Sequence, residues 1–429
     1  MERQILHIDM NNFYASVECA LDPSLRDKCV AVCGSVENRH GIVLAKNYPA
    51  KAFGVKTGEA VWEARQKCKD LVIVPPHYEE YMKYSRLARD IYGRYTDRIE
   101  PFGSDECWLD VSGSRYWGTG EEIAEKIRET VRFELGLTVS VGVSFNKVFA
   151  KLGSDMKKPD ATTVIAKENF RDLIWGLPAE DMIGVGRSTS RTLEGYGIRT
   201  IGDLANADPA SLEFRLKSRA YELVAFANGR DCSPVLHKDY ELPVKSVGHG
   251  ITTKEDLLNN EEVWLVMLEL TQDIGRKLKL YKKLARGVAI SIRDKDLFTR
   301  QWQRQLPQPS QRAYVIARAA YELFLASYQW FKPIRSVTVS AIQLCREDRL
   351  FQCDLFTDTS REEKRSRADR AVFEIREIYG NRSIGPASLL GYIKMEKDKG
   401  FPEMPTGLTT LKGGFTDGDE EICGSDGEL

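Results

Sequence analysis

Two short segments of the chain carry carboxylates where strands are predicted. In HIDMNNFY, residues 7–14, Asp9 follows an apolar run and precedes small polar residues and two aromatics. In GSDECWLD, residues 103–110, Asp105 and Glu106 are adjacent. Carboxylates on adjacent strands of one sheet can hold two hard cations about 3.5–4 Å apart, which contact the attacking and leaving oxygens of a phosphoryl transfer. Taken alone, each segment is more typical of a turn aspartate or a solvated corner.

The elements around these acids predict an antiparallel sheet covered by helices. Residues 4–8 alternate and then run apolar into Asp9, as a buried strand does, so Asp9 lies at the C-terminal end of that strand. The other elements predicted before residue 145 are strands at 30–33, 41–45, 72–74, 108–111 and 139–143 and helices at 14–21, 62–68, 78–95 and 121–135. This pattern predicts an α+β fold with a small α+β insert.

The rest of the chain predicts further domains, as expected for 429 residues. Short helices broken by glycine are predicted over residues 168–228, and a domain boundary over 231–242. Residues 242–344 predict the order strand, helix, strand, strand, helix, strand. A charged helix is predicted at 362–379, and the glycine-rich acidic end after Lys412 predicts a disordered tail.

Composition excludes several classes of protein. No apolar run approaches the roughly 20 residues of a membrane span, and we expect neither a membrane segment nor a secretory leader. The nine cysteines lack CxxC spacing, which favours reduced thiols in the cytoplasm over a disulfide framework or a zinc site. The formal net charge of −1 would argue against a nucleic-acid partner. That average is misleading, because residues 276–304 are strongly basic.

Four motifs follow one another along the chain. They are DMNNFYASVE at residues 9–18, NYPAKAFGVKTG at 47–58, SDECWLD at 104–110 and SVGVSFNKVFAKLGSDMKKP at 140–159. In these motifs, and over roughly residues 3–356, the chain resembles the Y-family DNA polymerases, and within them the bacterial DNA polymerase IV branch. Because the four motifs occur together, a turn aspartate or a solvated corner no longer explains the acidic segments.

The resemblance implies a multidomain α+β fold shaped as a right hand. It has a palm, small fingers, a helical thumb with a helix-hairpin-helix, and a little-finger domain. The implied ranges are palm at residues 1–20 and 75–165, fingers at 21–74, thumb at 166–235 and little finger at 240–346. The tail at 347–429 would carry a clamp-binding peptide, a helix and the disordered acidic end.

The resemblance also assigns roles to the acids. It implies that Asp9, Asp105 and Glu106 ligate two Mg²⁺ ions, with the backbone carbonyl of Met10 as a further ligand and Glu106 nearest the primer end. The implied reaction is attack of a primer 3′-hydroxyl on the α-phosphate of a deoxynucleoside triphosphate, with pyrophosphate leaving. Such a transfer depends on positioning and charge neutralisation more than on a dedicated acid or base.

Five further residues are implied to bind the incoming nucleotide. Tyr14 would lie under the sugar and exclude a 2′-hydroxyl, while its neighbour Phe13 would face the helix side. Tyr48, Lys51 and Lys158 would contact the triphosphate, because a hydroxyl and two ammonium groups suit a polyanion. Taken alone, Tyr14 suits core packing equally well, and the two lysines are typical of a solvated surface.

Three positions depart from the common family pattern. Lys51 stands where arginine is common, so a point charge replaces a bidentate fork. Asn12 and Ser104 also depart from that pattern, at positions beside the acids.

A short glycine-containing run predicts a phosphate contact in the thumb. Gly184, Val185 and Gly186 precede a predicted helix. Glycine permits the tight turn, and free backbone N–H groups at a helix start can bind a DNA phosphate without reading sequence. A lone GxG is a weak signal, and the resemblance assigns it to the helix-hairpin-helix.

The little finger is expected to follow the duplex backbone. Lys245 and Ser246 open this domain, and Arg335 lies near its end. A basic stripe between them would contribute most of the positive charge. Its members are Arg276, Lys277, Lys279, Lys282, Lys283, Arg286, Arg293, Lys295, Arg300 and Arg304.

Gln352, Leu355 and Phe356, within QCDLF, resemble the QxxLF peptide by which bacterial polymerases bind the sliding clamp. The alternative is a buried strand end. A short apolar pair in a polar extended tail suits docking into a pocket, and tethering raises the effective concentration at the primer.

Together these features predict a template-directed, error-prone translesion DNA polymerase in DNA damage tolerance and repair. The expected partners are primer–template DNA, a deoxynucleoside triphosphate and a sliding clamp, and we expect a cytoplasmic monomer. A catalytically inactive, clamp-tethered scaffold is one competing class, and the three acids argue against it. A helix-hairpin-helix glycosylase or nuclease is another, and it leaves the palm motifs unexplained.

Overall fold

The computed structural model describes residues 2–37, 39, 41–348, 359–381 and 383–389, without the side chains of residues 359–363. The chain forms two compact units. The first contains Val43–Leu242 together with the residues up to Cys33. The second contains Gly34–Ile42 together with the described residues from Pro243 onward. The acidic end, predicted as a disordered tail, lies outside the described residues.

The described residues alternate between strands and helices. The strands are β1 (Ile5–Met10), β2 (Val30–Cys33), β3 (Val43–Lys46), β4 (Val72–Val74), β5 (Ile99–Pro101), β6 (Glu106–Asp110), β7 (Val139–Ser144), β8 (Thr162–Ile165), β9 (Val247–Leu257), β10 (Lys283–Asp294), β11 (Thr299–Ser310) and β12 (Ile334–Arg346). The helices are α1 (Phe13–Leu21), α2 (Tyr48–Ala52), α3 (Val61–Lys67), α4 (Tyr78–Tyr92), α5 (Gly120–Leu135), α6 (Lys147–Met156), α7 (Phe170–Ile174), α8 (Arg187–Gly195), α9 (Ile201–Ala205), α10 (Pro209–Leu216), α11 (Arg219–Ala227), α12 (Asn260–Leu280), α13 (Ala313–Ser327) and α14 (Thr359–Tyr379).

The main sheet of the first unit has five strands in the order β5, β6, β1, β7, β8. Its pairings are antiparallel except at one edge, where β7 and β8 run parallel. Every residue of β1 and β7 is buried, because helices cover both faces of the sheet. Leu6 and Ile8 pack into one core with residues of α4 and α5, while Ile5 packs on the other face with Ala150 of α6.

Close packing of α6 on the sheet depends on a glycine in β7. A side chain at Gly142 would collide with the backbone carbonyl of Ala150 in α6. Gly142 lies opposite His7 of β1 in the strand register, so α6 covers the same face as His7 and Asp9. The glycine therefore lets α6 approach the acid-bearing face of β1.

A second, three-stranded sheet in the order β3, β2, β4 forms the predicted insert. Strands β2 and β3 pair antiparallel, and β2 and β4 pair parallel. Beyond β8, the first unit continues as the short helices α7 to α11, which share one apolar core. The predicted run of short helices over residues 168–228 is thus confirmed.

The second unit contains a four-stranded antiparallel sheet in the order β11, β10, β12, β9. The predicted order of strand, helix, strand, strand, helix, strand is confirmed. Helices α12 and α13 share a core with the sheet, through Ile290 and Val339 among others. On the opposite face β12 presents the small polar side chains Ser336, Thr338 and Ser340. This face is therefore smooth and polar.

Helix α14 packs on α12 and α13 through polar contacts. Arg312 Nε donates to Asp369 Oδ2 at 2.6 Å, and Arg376 donates to Gln272 Oε1 at 3.0 Å. Within the described part of the chain, no helix is long and apolar enough to cross a membrane. None of the cysteines in that part of the chain forms a disulfide.

Candidate active site

Strand pairing brings the three predicted acids together. Strands β1 and β6 pair with Asp9 opposite Glu106. The backbone N–H of Met10 donates to the carbonyl of Asp105 at 3.0 Å. Side chains alternate along a strand, so Asp9 and Glu106 lie on the face that α6 covers. Asp9 is 7% exposed and Asp105 and Glu106 are half-buried, so the acids form a partly buried cluster at the C-terminal end of β1.

The acid cluster carries more negative charge than its burial favours. Burial raises the pKa of Asp105 to about 6, and the neighbouring Asp9 and Glu106 carboxylates contribute. Burial also raises the pKa of Asp9 above its usual value, although Lys158 opposes this. Carboxylates that share a buried site need cations close by. Oxygen donors of this kind suit Mg²⁺, so the donor set fits the predicted ions.

Two lysines from the fourth motif partly neutralise the cluster. Lys158 Nζ lies 2.7 Å from Asp9 Oδ2, and Lys151 Nζ lies 2.6 Å from Glu106 Oε2. Burial by itself would lower the pKa of Lys158, but the Asp9 carboxylate raises it above its usual value. Asp9 and Glu106 thus each contact a lysine. Among the described residues, no three His, Cys, Asp or Glu side chains are close enough together to hold a metal ion.

A buried histidine lies behind Glu106. His7 Nε2 is 3.4 Å from Glu106 Oε2, and His7 Nδ1 is 2.8 Å from Ser154 Oγ. The Ser154 hydroxyl donates to the carbonyl of Lys151 at 2.7 Å, and the imidazole packs edge-on against Trp108. Burial, followed by the Lys151 charge, lowers the pKa of His7 well below its usual value. His7 is therefore a neutral spacer between α6 and Glu106.

Lys151 and His7 are the site residues that sequence reasoning missed. Lys151 lies four residues after Lys147 in the fourth motif, a spacing that puts both lysines on one face of α6. That spacing could have identified Lys151. His7 carries no comparable signal, because its partner Ser154 is 147 residues away along the chain.

Tyr14, the predicted sugar gate, lies half-buried beside the cluster. Its ring stacks on Tyr81, with centroids 4.2 Å apart and planes 12° apart. The Tyr81 hydroxyl donates to the buried Glu18 carboxylate, which also lies 2.9 Å from His77 Nδ1. Burial raises the pKa of Tyr14, while a hydrogen bond with Ser104 opposes the shift. The stack and the Glu18 bond hold the plane of the Tyr14 ring.

Phe13, which we expected to face the helix side, packs into the core. Its side chain is buried in the main core, where it contacts the rings of Tyr14 and Tyr81. Asn12 immediately before α1 has φ 50°, a left-handed conformation that Asn tolerates better than most residues. The chain therefore turns so that Phe13 enters the core and Tyr14 remains near the acids. The Phe13 side chain therefore supports the Tyr14 ring, and its contact with a nucleotide stays a prediction.

Tyr48 and Lys51 lie on α2, which begins after the N-cap Asn47. Burial raises the pKa of Tyr48, and Lys158 and Asp9 are the charges that act on it. Tyr48 thus lies close to the acid cluster and its lysine. Lys51 Nζ lies 5.6 Å from the Tyr48 ring centroid and is exposed. The fold brings together Tyr48, Lys51 and Lys158, as the resemblance implies.

The predicted thumb turn precedes α8. Gly184 has φ 90°, and a side chain there would collide with Arg219. Val185 is buried in the helical core, so it cannot be a direct DNA contact through its side chain. Gly186 is the N-cap of α8 and has no side-chain cap bond. The backbone N–H groups at the start of α8 are therefore the part of this turn that suits a phosphate.

The charges of the second unit are divided between its helices and its sheet. Lys245 and Ser246 are exposed just before β9, and Arg335 is half-buried in β12. Three members of the predicted basic stripe lie on α12 and have other partners: Arg276 and Lys277 pair with Asp273, and Lys279 donates to a carbonyl of α14. The stripe is thus not one continuous surface, as its sequence pattern suggested. Gln352, Leu355 and Phe356 lie outside the described residues.

Comparison with known proteins identifies the family. A model described as the impB/mucB/samB family matches residues 8–155, and a model of that family's C-terminal domain matches residues 244–355. DNA polymerase IV of Acetivibrio thermocellus is 50% identical over 391 residues, which cover 91% of this chain and 98% of that protein. DNA polymerase IV 1 of Bacillus subtilis strain 168 is 36% identical over 400 residues, covering 92% and 95%. The chain belongs to the Y-family DNA polymerases, in their DNA polymerase IV branch.

The fold agrees with that family. A solved Y-family DNA polymerase chimera matches 80% of this chain and 99% of its own length, with a TM-score of 0.71 at 23% identity. The predicted multidomain α+β polymerase fold is therefore confirmed. In this family's terms the five-stranded sheet belongs to the palm, and the four-stranded sheet with α12 and α13 belongs to the little finger.

Proposed function

We propose that Asp9, Asp105, Glu106 and the carbonyl of Met10 hold two Mg²⁺ ions for the nucleotidyl transfer of this translesion DNA polymerase. The observation that supports the proposal most strongly is the pairing of β1 with β6, which sets Asp9 opposite Glu106 with Asp105 beside them. When bound, the ions would supply the positive charge that favours attack by the primer 3′-hydroxyl and departure of pyrophosphate.

The lysines of the site have one role in the metal-free protein and another when metal is bound. Without the ions, Lys158 and Lys151 offset the charges of Asp9 and Glu106. With Asp9 bound to an ion instead, Lys158 would be free to contact the triphosphate of the incoming nucleotide. Tyr48 and Lys51 would contact the same polyanion through a hydroxyl and an ammonium group. These three side chains orient the nucleotide without taking part in proton transfer.

Tyr14 would select the sugar of the nucleotide. Its ring is fixed by the stack on Tyr81, whose hydroxyl is bound by Glu18. A rigid ring under the sugar excludes an added 2′-hydroxyl by contact, because the ring cannot retreat without breaking this stack. The buried Phe13 supports the same arrangement from the core.

DNA would be held by surfaces that do not read sequence. The N–H groups at the start of α8 suit one phosphate, and Lys245, Ser246 and Arg335 suit the backbone of the duplex. Membership of the family supports error-prone synthesis in DNA damage tolerance. We further expect the protein to act as a monomer in the cytoplasm. The QCDLF peptide supports tethering to a sliding clamp.

The metal site is tested by single-nucleotide primer extension with Mg²⁺. Asp105→Ala should lower the rate by at least a thousandfold, roughly the loss seen when transition-state charge stabilisation is removed. Asp110→Asn is the matched control, because Asp110 lies at the other end of the same strand. Equal rates for Asp105→Ala and the unaltered protein would refute the assignment and favour an inactive scaffold.

The clamp peptide is tested by extension with and without a bacterial sliding clamp. Leu355→Ala combined with Phe356→Ala should abolish stimulation by the clamp and leave basal extension unchanged, since the peptide acts through effective concentration. Loss of both activities together would contradict the peptide's assignment.

A further inference from the structure

Two exposed phenylalanines lie at one end of the four-stranded sheet in the second unit. Phe298 lies between β10 and β11 and is 60% exposed, and Phe331 lies just before β12 and is 70% exposed. Both line one pocket, together with Tyr328, Arg300 and Lys332. Large apolar side chains that gather on a surface in this way are typical of binding sites.

Beneath the two phenylalanines lies a packed aromatic cluster, the aromatic floor, formed by Tyr328, Trp302 and Trp330. Tyr328 contacts Trp302 and Trp330 with near-perpendicular rings, at centroid distances of 6.3 and 5.5 Å. Its hydroxyl donates to the carbonyl of Lys332 at 3.0 Å. The floor rings are therefore committed to the fold, whereas Phe298 and Phe331 remain available to a ligand.

The turn that carries Phe298 is held in place by hydrogen bonds. Asp294 Oδ1 accepts from the backbone N–H groups of Asp296 and Phe298, at 2.9 and 3.1 Å. The N–H of Lys295 donates to the carbonyl of Pro333 at 3.0 Å, which joins this turn to the segment before β12. The two phenylalanines are thus presented by connected segments, so a ligand would meet a largely preorganised surface.

Cations interleave with the exposed rings. The Arg300 guanidinium lies 5.4 Å from the Phe298 ring centroid. Arg300 and Lys295 are exposed, and neither pairs with a carboxylate in the part of the chain that the structure describes. The nearby acids have partners, because Asp296 pairs with Lys332 and Asp294 accepts the turn N–H groups. The surface therefore offers aromatic faces together with surplus positive charge.

We propose that Phe298, Phe331, Arg300 and Lys295 form a single-strand surface, which binds single-stranded DNA. Unpaired bases would stack on the two phenyl rings, and the phosphates would contact Arg300 and Lys295. The interior pairs of a duplex cannot use the rings in this way, because both faces of each pair are covered by its neighbours. An apolar peptide would use the rings but not the cations. The proposed site uses side chains other than the duplex contacts proposed for Lys245, Ser246 and Arg335.

Binding to labelled oligonucleotides tests this proposal in the full-length protein. Fluorescence anisotropy would compare a short oligo-dT strand with a blunt hairpin duplex, without nucleotide or divalent metal, so the result does not rest on the acid cluster. Phe298→Ala with Phe331→Ala should weaken binding of the single strand by about tenfold to a hundredfold, since each lost stack costs about tenfold. Binding of the blunt duplex should stay within about twofold of the unaltered protein.

A matched control is available in the first unit. Phe214 on α10 is 84% exposed and lies under Arg215 at 5.5 Å, so it has the same pairing of ring and guanidinium. Phe214→Ala should leave single-strand binding unchanged. Replacing Phe298 and Phe331 with Trp should preserve binding, because indole rings stack at least as well. Arg300→Gln should reduce the salt dependence of single-strand binding by a slope of about 0.7, as expected for one lost phosphate contact.

Several results would overturn the proposal. They are an unaltered affinity of the double Ala variant for the single strand, an equal loss on the blunt duplex, or the same loss from Phe214→Ala. A salt slope unchanged by Arg300→Gln would also do so, and this variant does not depend on the Ala variant folding. Concentration-dependent self-association that is abolished by the double Ala variant, without any change in DNA binding, would assign the surface to a second copy of the chain instead.

Discussion

The palm site and the little-finger surfaces use charge in opposite ways. In the palm, Asp9 is 7% exposed and each lysine of the site lies against an acid. In the little finger, Lys245, Lys295 and Arg300 are exposed. Buried charges interact strongly and must be balanced, whereas exposed charges are screened by water and salt. The palm is thus organised around a few coupled charges and the little finger around many independent ones.

This difference predicts the size of mutational effects. Removing one member of a buried cluster leaves its partner uncompensated, which costs several kcal/mol in typical cases. Removing one exposed charge from a phosphate-binding surface costs little, and the cost is largest at low salt because salt screens exposed charges. Palm substitutions should therefore be severe and little-finger substitutions mild.

The largest effect among the binding residues is expected at Lys158. Lys158→Met should lower kcat/KM for the incoming nucleotide by about a hundredfold, because it removes a charged contact to the triphosphate and, in the metal-free protein, leaves Asp9 without its cation. Steady-state extension measures this. Lys157→Met is the matched control, since Lys157 is exposed and adjacent. A similar loss from both variants would break the proposed contrast between paired and unpaired lysines.

A smaller effect is expected at Tyr14, the proposed sugar gate. Tyr14→Ala should lower the discrimination against ribonucleotides by about fiftyfold, within the range that pocket size alone provides. Competition between deoxynucleotide and ribonucleotide measures the ratio. Tyr81→Phe removes the bond to Glu18 but keeps the stack, so its effect should be milder. An unchanged ratio in Tyr14→Ala would remove the gate assignment.

The pH dependence of metal binding follows from the raised pKa of Asp105. Its pKa in the metal-free protein is about 6, above the usual 3.8, so protonation of Asp105 favours the folded metal-free state. Stability from this group is present below about pH 4 and is lost as the pH rises to about 6. Metal affinity changes in the opposite direction and should fall by about tenfold per pH unit below about 6, because a protonated carboxyl is a poor ligand. Calorimetric titration between pH 5 and 8 measures this, and a flat affinity would contradict it.

The smallest effect is expected at an exposed little-finger charge. Lys245→Gln should weaken duplex binding by about threefold at low salt, equally for all sequences, and should reduce the salt slope by about 0.9. Anisotropy at several salt concentrations measures both quantities. A loss as large as that of Lys158→Met would show that the two regions do not differ in the proposed way.

Much of the fold could be predicted because its signals are local. The buried strand that ends at Asp9, the short helices after β8 and the element order of the little finger follow from hydrophobic periodicity and turn residues. The convergence of Asp9 with Asp105 and Glu106 required the ordered motifs as well, since register is set by tertiary packing.

The remaining features depend on contacts between distant parts of the chain. Nothing local indicates that His7 meets Ser154 of α6, or that Tyr81 of α4 stacks on Tyr14. The basic stripe appears continuous in sequence, yet Arg276 and Lys277 point from a helix to Asp273 instead of lying on the sheet. Phe13 and Tyr14 are adjacent aromatics, and only the left-handed turn at Asn12 decides which one is buried.

The central claim is that the palm carboxylates hold two metal ions. Electron paramagnetic resonance with Mn²⁺ tests it most directly, in the presence of a primer terminated by a dideoxynucleotide and the next correct nucleotide. We predict two bound ions in the unaltered protein and in Asp110→Asn, and loss of at least one ion in Asp105→Asn. The same number of ions with the same affinity in Asp105→Asn would contradict the account.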